Sequence, residues 1–433
     1  MVIVLTLFAA VGQSLPSDAA SRWQVLPTEP ASMAVRVLPA QTQEGVAPEA
    51  LTLAVRQAGE QTVRGEAIVL GEEAPEAWAK GTRLVGCISP YAPITLHDCL
   101  LPGSLVVRSG PGEGGTVYER DKDYLLDEKW ATLGRAAGGA IPAGATVYAD
   151  YVCGSERIDT VALLPDGQVL LVEGTPEKVC PKPPALPDNA APLANIYVPY
   201  HAKATTAELI YPIRTDEVVS PGQSIEQKTA AVKRSSAKLH NGGAVKIVFL
   251  GDSVTVGGDA TKPELRFVDR FGIELGRRFP TARVEVVNAG VGGTNSDFGL
   301  ERLDKDVLAH DPDLVCIEFV NDMFWPPQKI HENYAALIER IRGHNDAEVI
   351  IITPHLMMPE WMGKFEPAVE ALRQIAAEKQ VGLADASLGW QNLRLMGIPY
   401  QTLLANGINH PDDRGHKIFV DALLTFFPER SRG

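Results

Sequence analysis

The chain has 433 residues, enough for two or three domains of ordinary size. Hydrophobic residues make up 45% and charged residues 22%, which excludes a disordered or charge-driven chain. Lys and Arg number 40 against 54 Asp and Glu, and the net charge of −14 opposes nonspecific binding to nucleic acid or an anionic membrane. The one membrane-like stretch is Met1 to Gly12, too short to span a bilayer. It leads to small residues at Ala19-Ala20, as the end of a signal peptide would, but lacks a positively charged start. A secreted or periplasmic location therefore stands beside two plainer readings, an incorrectly chosen start codon and a buried first strand, with which a cytoplasmic location is compatible.

From residue 21 to about 180 the pattern is one of short apolar or alternating segments cut by turn residues. Strands are expected at Met33 to Leu38, Leu51 to Val55, Leu105 to Arg108, Thr146 to Val152, Thr160 to Leu164 and Val169 to Val172. Turn signals such as Pro111-Gly112 and Pro165-Asp166-Gly167 separate them, so a sandwich or barrel-like module is the natural expectation. Four of the five cysteines, Cys87, Cys99, Cys153 and Cys180, fall here, and only Cys316 lies beyond. Pairing Cys87 with Cys99 and Cys153 with Cys180 would suit an exported domain, and buried thiols are the alternative. The proline-rich run Cys180 to Pro187 is a stiff connector and marks the expected boundary of a β-rich accessory domain over 21–190. A bridging segment over 191–243 follows, with short β-like tracts at Ala194 to Pro199 and Ala207 to Ile213 and a helix over Ser224 to Leu239.

From Val245 strands and amphipathic helices alternate. Strands are expected at Val245 to Leu250, Val284 to Val287, Leu314 to Phe319, Val349 to Thr353 and Val381 to Ala384. Helices are expected at Pro263 to Phe279, Asp297 to Ala309, Ile330 to Ile341, Pro367 to Glu378 and Gly415 to Leu424. Repeated βαβ units imply a mostly parallel sheet covered on both faces, a three-layer α/β/α sandwich over 244–433.

Gly251-Asp252-Ser253-Val254-Thr255 stands at the end of the first of these strands, where parallel sheets place ligands and nucleophiles, although all three leading residues are also ordinary turn formers. Asn288-Ala289-Gly290-Val291-Gly292-Gly293 ends the second strand, Phe319-Val320-Asn321-Asp322 ends the third, and Asn409-His410-Pro411 precedes the last helix. These four blocks, in this order over Val245 to Phe427, resemble those of the SGNH or GDSL hydrolase family. The resemblance covers the C-terminal domain only. It implies Ser253 as nucleophile, His410 as base, and an oxyanion site made by the amides of Ser253 and Gly293 and the side chain of Asn321.

The chemistry needs these types together. A serine hydroxyl is a weak nucleophile until a base takes its proton, and imidazole does so near neutrality. The tetrahedral oxyanion needs donors aimed at its developing charge. Turn or capping roles are the structural alternatives for Gly293 and Asn321.

Two departures from the family pattern matter. Phe319 stands where the third block usually has glycine, and it would narrow the pocket or displace the loop of Asn321. The catalytic acid usually stands three residues before the histidine, and here that residue is Gly407. Asn406 or a backbone carbonyl as orienter, a distant aspartate such as Asp385, and a Ser/His dyad are the available repairs. His355 is read as lining the pocket or as structural, and His416 as a cap or packing residue. Met357, Met358, Trp361 and Met362, like Phe324 and Trp325, are read as lid or core, with acyl contact as the alternative.

The resemblance implies a serine esterase acting through an acyl-enzyme on a small-acyl ester, carried for instance on a carbohydrate. A lipase or acyl-thioesterase, and a catalytically degenerate carbohydrate-binding or surface-interaction protein, are the alternatives. No metal or other cofactor is expected, because the sequence has no HExxH, CxxC, EF-hand or phosphate-loop pattern. The expected partner is a small-molecule or saccharide ester, with no nucleic acid and no integral membrane segment. The sequence does not specify an oligomeric state.

Overall fold

The computed structural model describes residues 22–39, 50–214 and 222–428. The apolar stretch Met1 to Gly12, expected as an export signal or a first strand, lies outside the described residues. The chain divides into two compact units, one of 22–39, 50–214 and 394–407, the other of 222–393 and 408–428 among the described residues.

The first unit is an antiparallel β structure. One three-stranded sheet joins Trp23–Pro27, Ala34–Pro39 and Leu51–Ala54. A four-stranded sheet runs Val169–Val172, Arg157–Leu163, Ala191–Val198 and Ile210–Pro212. Glu60–Val69, Thr146–Gly154 and Val106–Arg108 form a third sheet, and Thr82–Arg83, Thr132–Arg135 and Tyr124–Asp127 a fourth. Their inward residues make two apolar clusters, one around Val35, Val161 and Ile196 and the other around Leu84, Val147 and Tyr151.

Glu60–Val69 has no clean apolar alternation, which is why its sequence does not announce a strand. Its pairing with Thr146–Gly154 shifts register between Val63 and Glu66. The proline-rich run does not end this unit. The strand beyond it, Ala191–Val198, pairs directly with Arg157–Leu163, so the stiff segment connects strands of one sheet. The five cysteines are buried thiols and the expected Cys87–Cys99 and Cys153–Cys180 disulfides are not formed; Cys87, Cys99, Cys153 and Cys180 lie in one apolar cluster.

Residues 394–407 also belong to the first unit. Asn195 Nδ2 donates to the Gly397 carbonyl at 2.7 Å, Ser89 Oγ to the Ala405 carbonyl at 2.7 Å, and Arg214 N to Leu395 O at 2.7 Å. The chain thus leaves the second unit after Leu393 and returns at Ile408.

The second unit has the expected α/β/α layering. Its strands are β1 (Ala244–Gly251), β2 (Arg283–Gly290), β3 (Leu314–Glu318), β4 (Glu348–Ile352) and β5 (Gly382–Ala384), all parallel, in the order β2-β1-β3-β4-β5. Central β1 and β3 are buried over most of their length and are mostly apolar, as strands covered on both faces are. The helices are α1 (Ile225–Ala231), α2 (Lys233–His240), α3 (Ser253–Val256), α4 (Phe267–Arg278), α5 (Ser296–Asp306), α6 (Pro327–Asn345), α7 (Phe365–Glu378), α8 (Ala386–Leu395) and α9 (Asp413–Leu424). The single helix expected over Ser224 to Leu239 breaks at Val232, and α8 has no counterpart in the sequence reading. The order of strands brings the carboxyl ends of β1, β2 and β3 side by side, and these ends carry the first three sequence blocks.

Candidate active site

Ser253 opens α3 directly after β1, where Asp252 caps the short helix by accepting from Val254 N at 3.0 Å. The other oxygen of Asp252 accepts from Asn321 N, also at 3.0 Å, so one buried carboxylate ties the serine turn to the loop after β3. The loop after β2 lies alongside: a Cβ on Gly292 would stand 3.8 Å from Ser253 Cβ, and Gly293 follows at φ +72, the left-handed region that favours glycine. Asn321 donates its side-chain amide to Thr294 O at 2.8 Å, which holds the third block against the second. Ser253, Gly293 and Asn321 therefore gather on adjacent, mutually bonded loops.

His410 joins them from the turn before α9. Its Nε2 lies 2.9 Å from Ser253 Oγ, and its Nδ1 lies 2.9 Å from Asp259 Oδ2. The carboxylate on the histidine is thus Asp259, six residues after the serine, and not a residue just before the histidine. A carboxylate accepts, so Nδ1 carries the proton and the lone pair of Nε2 faces the serine hydroxyl. The sequence reading missed Asp259. Its available signal was Gly257-Gly258-Asp259: a Cβ on Gly258 would come within 2.9 Å of His410 Nδ1, so only glycine lets this loop pass beneath the ring.

The other candidates lie elsewhere. Asp385 accepts from Arg373 Nε at 2.9 Å and Thr353 Oγ1 at 3.1 Å, and also from Ser387, so it is an anchor beside β5. Asn406 is buried in the segment that belongs to the first unit, and the ring nitrogen it would have oriented faces Asp259. Phe319 is 2% exposed and packs on α5, where a Cβ on Gly299 would stand 2.6 Å from its ring. The bulk of the ring thus goes into the helix layer at a glycine that receives it.

His355 is wholly buried and donates from Nε2 to Asn409 O at 2.8 Å, steadying the residue before His410. Burial pushes its pKa down to about 3, so the ring is neutral. Met357 and Met358 are core residues, whereas Phe324 and Trp325 are exposed just beyond Asn321. Phe324 meets Trp361 edge to face, with ring centroids 5.0 Å apart.

Asp252, Glu318 and Asp322 sit together beneath these loops. Thr255 Oγ1 donates to Glu318 at 2.8 Å, and Ser296 N donates to Asp322 at 2.9 Å. Burial raises Asp252 to about 6 and Asp322 to about 7, and it drives Glu318 well above the usual carboxylate range, with the neighbouring aspartates adding to the rise. Among the described residues no cluster of His, Cys, Asp and Glu is arranged to hold a metal ion.

Residues 249–418 match the model of the GDSL-like Lipase/Acylhydrolase family. The C-terminal domain is a GDSL-type hydrolase domain. Solved structures similar to the chain include a two-domain esterase active on acetylated mannans, at 25% identity and TM-score 0.41, covering 47% of this chain and 55% of that one. The match thus spans about half the length of that esterase. They also include a catalytic mutant of an acetylxylan esterase from Geobacillus stearothermophilus, at 22% identity and TM-score 0.39, covering 43% of this chain and 97% of that one. A lipase/acylhydrolase from Enterococcus faecalis matches at 26% identity and TM-score 0.35, covering 42% of this chain and 93% of that one. No curated protein matches the chain. Within the GDSL-type domain, Ser253, Asp259, Gly293, Asn321 and His410 all fall inside the matched residues.

Proposed function

We propose that the protein hydrolyses carboxylic esters through an acyl-enzyme, with Ser253, His410 and Asp259 as a catalytic triad. The observation that carries this reading is the single imidazole placed 2.9 Å from both the serine hydroxyl and the aspartate. In the first step Ser253 Oγ bonds to the ester carbonyl carbon while its proton passes to His410 Nε2. The oxyanion receives hydrogen bonds from the amides of Ser253 and Gly293 and from Asn321, whose amide nitrogen carries a second proton besides the one given to Thr294. The intermediate collapses as the alcohol leaves with the proton from His410, and water repeats the sequence to release the acid. Asp259 holds the ring in the correct tautomer and stabilises the imidazolium.

Two features in the sequence suggested a silent scaffold, Gly407 and Phe319. Asp259 accounts for the first and the fit of Phe319 on Gly299 for the second. The finer reading is a small-acyl ester borne on a saccharide. The partly exposed rings of Phe324 and Trp325, three and four residues beyond Asn321, support a substrate with an apolar face at this edge. The test is steady-state kinetics on acetyl, butyryl and octanoyl esters and an acetylated oligosaccharide, together with labelling by a fluorophosphonate. Ser253→Ala is expected to abolish both turnover and labelling, and Asp259→Asn to lower kcat by about 10³ to 10⁴. Unchanged turnover in both variants would overturn the triad, and a preference for octanoyl esters would favour a lipase instead.

A further inference from the structure

The loop that delivers Asp259 has no strand or long helix to hold it. It follows α3, and Gly258 N donates back to Ser253 O at 2.9 Å. Asp259 itself sits at φ +63, a backbone region that a residue with a side chain adopts at a cost. An acid in such a place stays aligned with its histidine only if its flanks are fixed.

Both flanks are fixed from the start of α9. On the far side, Thr261 donates its N–H to Asp413 Oδ1 at 2.9 Å and its hydroxyl to Asp413 Oδ2 at 2.6 Å. On the near side, His416 Nε2 lies 3.3 Å from Gly258 O, and a carbonyl only accepts, so this nitrogen carries the proton. Residues 413 and 416 stand three apart, on the same side of the helix. The His416 ring is wholly buried and stacks on Phe267 at an interplanar angle of 20°. Burial lowers its pKa to about 4 and keeps the ring neutral.

We infer that Asp413 and His416 are positioning residues for Asp259, clamping its loop from either side so that the element following the base also aligns the acid. This rests on the triad proposed above. With the acid early in the chain, its orientation must come from outside its own loop, and α9 supplies it.

The decisive experiment is a double-mutant cycle. Asp413 is half-buried and Thr261 is exposed, so Asp413→Ala and Thr261→Val test the far clamp without opening the core. His416→Gln, which keeps a donor, and His416→Phe, which keeps the ring, test the near one. Asp413→Ala is expected to lower kcat for a simple acetyl ester by about tenfold, less than the roughly hundredfold cost of a 1 Å misplacement, with KM little changed. Asp413→Asn should recover part of the loss, and His416→Gln should keep more activity than His416→Phe. In an Asp259→Asn background the Asp413→Ala change should cost little more, because the carboxylate it aligns is gone. A full tenfold loss in that background, or wild-type kcat for Asp413→Ala, would overturn the inference. Wild-type kcat for Asp259→Asn alone would overturn the triad and with it anything said to position its acid.

Discussion

Two regions of the molecule bury charge in opposite ways. In the first unit Arg157, whose side chain is 2% exposed, makes four hydrogen bonds and a further ion pair. Asp159 accepts two of the hydrogen bonds at 2.7 and 2.9 Å and the carbonyls of Gln57 and Arg56 the others at 3.1 and 2.9 Å, while Glu173 pairs with the guanidinium at 3.0 Å. In the second unit Asp252, Glu318 and Asp322 are buried together, and one oxygen each of Glu318 and Asp322 has no partner. The first arrangement cancels its charge and ties strands together. The second holds like groups close, and burial raises the pKa of each, the kind of local cost that proteins accept at functional sites. It lies beneath the serine turn.

Removing one half of the matched pair should have the largest effect. Arg157→Met leaves Asp159 buried without its cation and is expected to cost about 3–5 kcal/mol, read from urea unfolding. A loss within the error of the measurement would show that the pair is dispensable and erase the contrast. Next is the packing beside the carboxylates. Gly299→Ala drives a methyl into the Phe319 ring and should cost about 1–3 kcal/mol, with partial recovery in Gly299→Ala/Phe319→Leu.

Asp322→Asn sharpens the comparison through pH. The folded state raises this carboxyl from 3.8 to about 7, so as pH rises the unfolded chain releases its proton first. The contribution to stability is fully present below about pH 4 and is lost as pH passes through about 7. The asparagine variant should therefore gain about 1–2 kcal/mol over wild type at pH 8 and little at pH 4, measured by unfolding at both. An equal gain at both pH values would mean that the aspartate is not held protonated. The smallest effect is expected for Glu173→Gln, since that carboxylate is 35% exposed and its loss should cost less than about 1 kcal/mol.

Much of the second unit was legible in the sequence because each piece is local. β1, β3 and β4 are dominated by apolar residues, and the residues at the ends of β1, β2 and β3 sit in contiguous blocks. The proposed acid, Asp259, was not legible for a physical reason. Its identity depends on a contact across 151 residues, and Gly257-Gly258-Asp259 has the composition of an ordinary turn. The exchange of Phe319 for glycine was visible, but its resolution on Gly299 was not, because which helix glycine faces which ring is a tertiary fact. In the first unit Glu60–Val69 was hidden by its polar residues, and the return of residues 394–407 to that unit has no local signature at all.

The placement of Asp259 also changes how the site is assembled. Ser253 and Asp259 are 157 and 151 residues from His410 but only six from each other. One short stretch of chain therefore presents both partners, and the ring meets them together in a single long-range closure. The turn that carries His410 thus supplies both hydrogen bonds from one ring, and displacing it would break the two together.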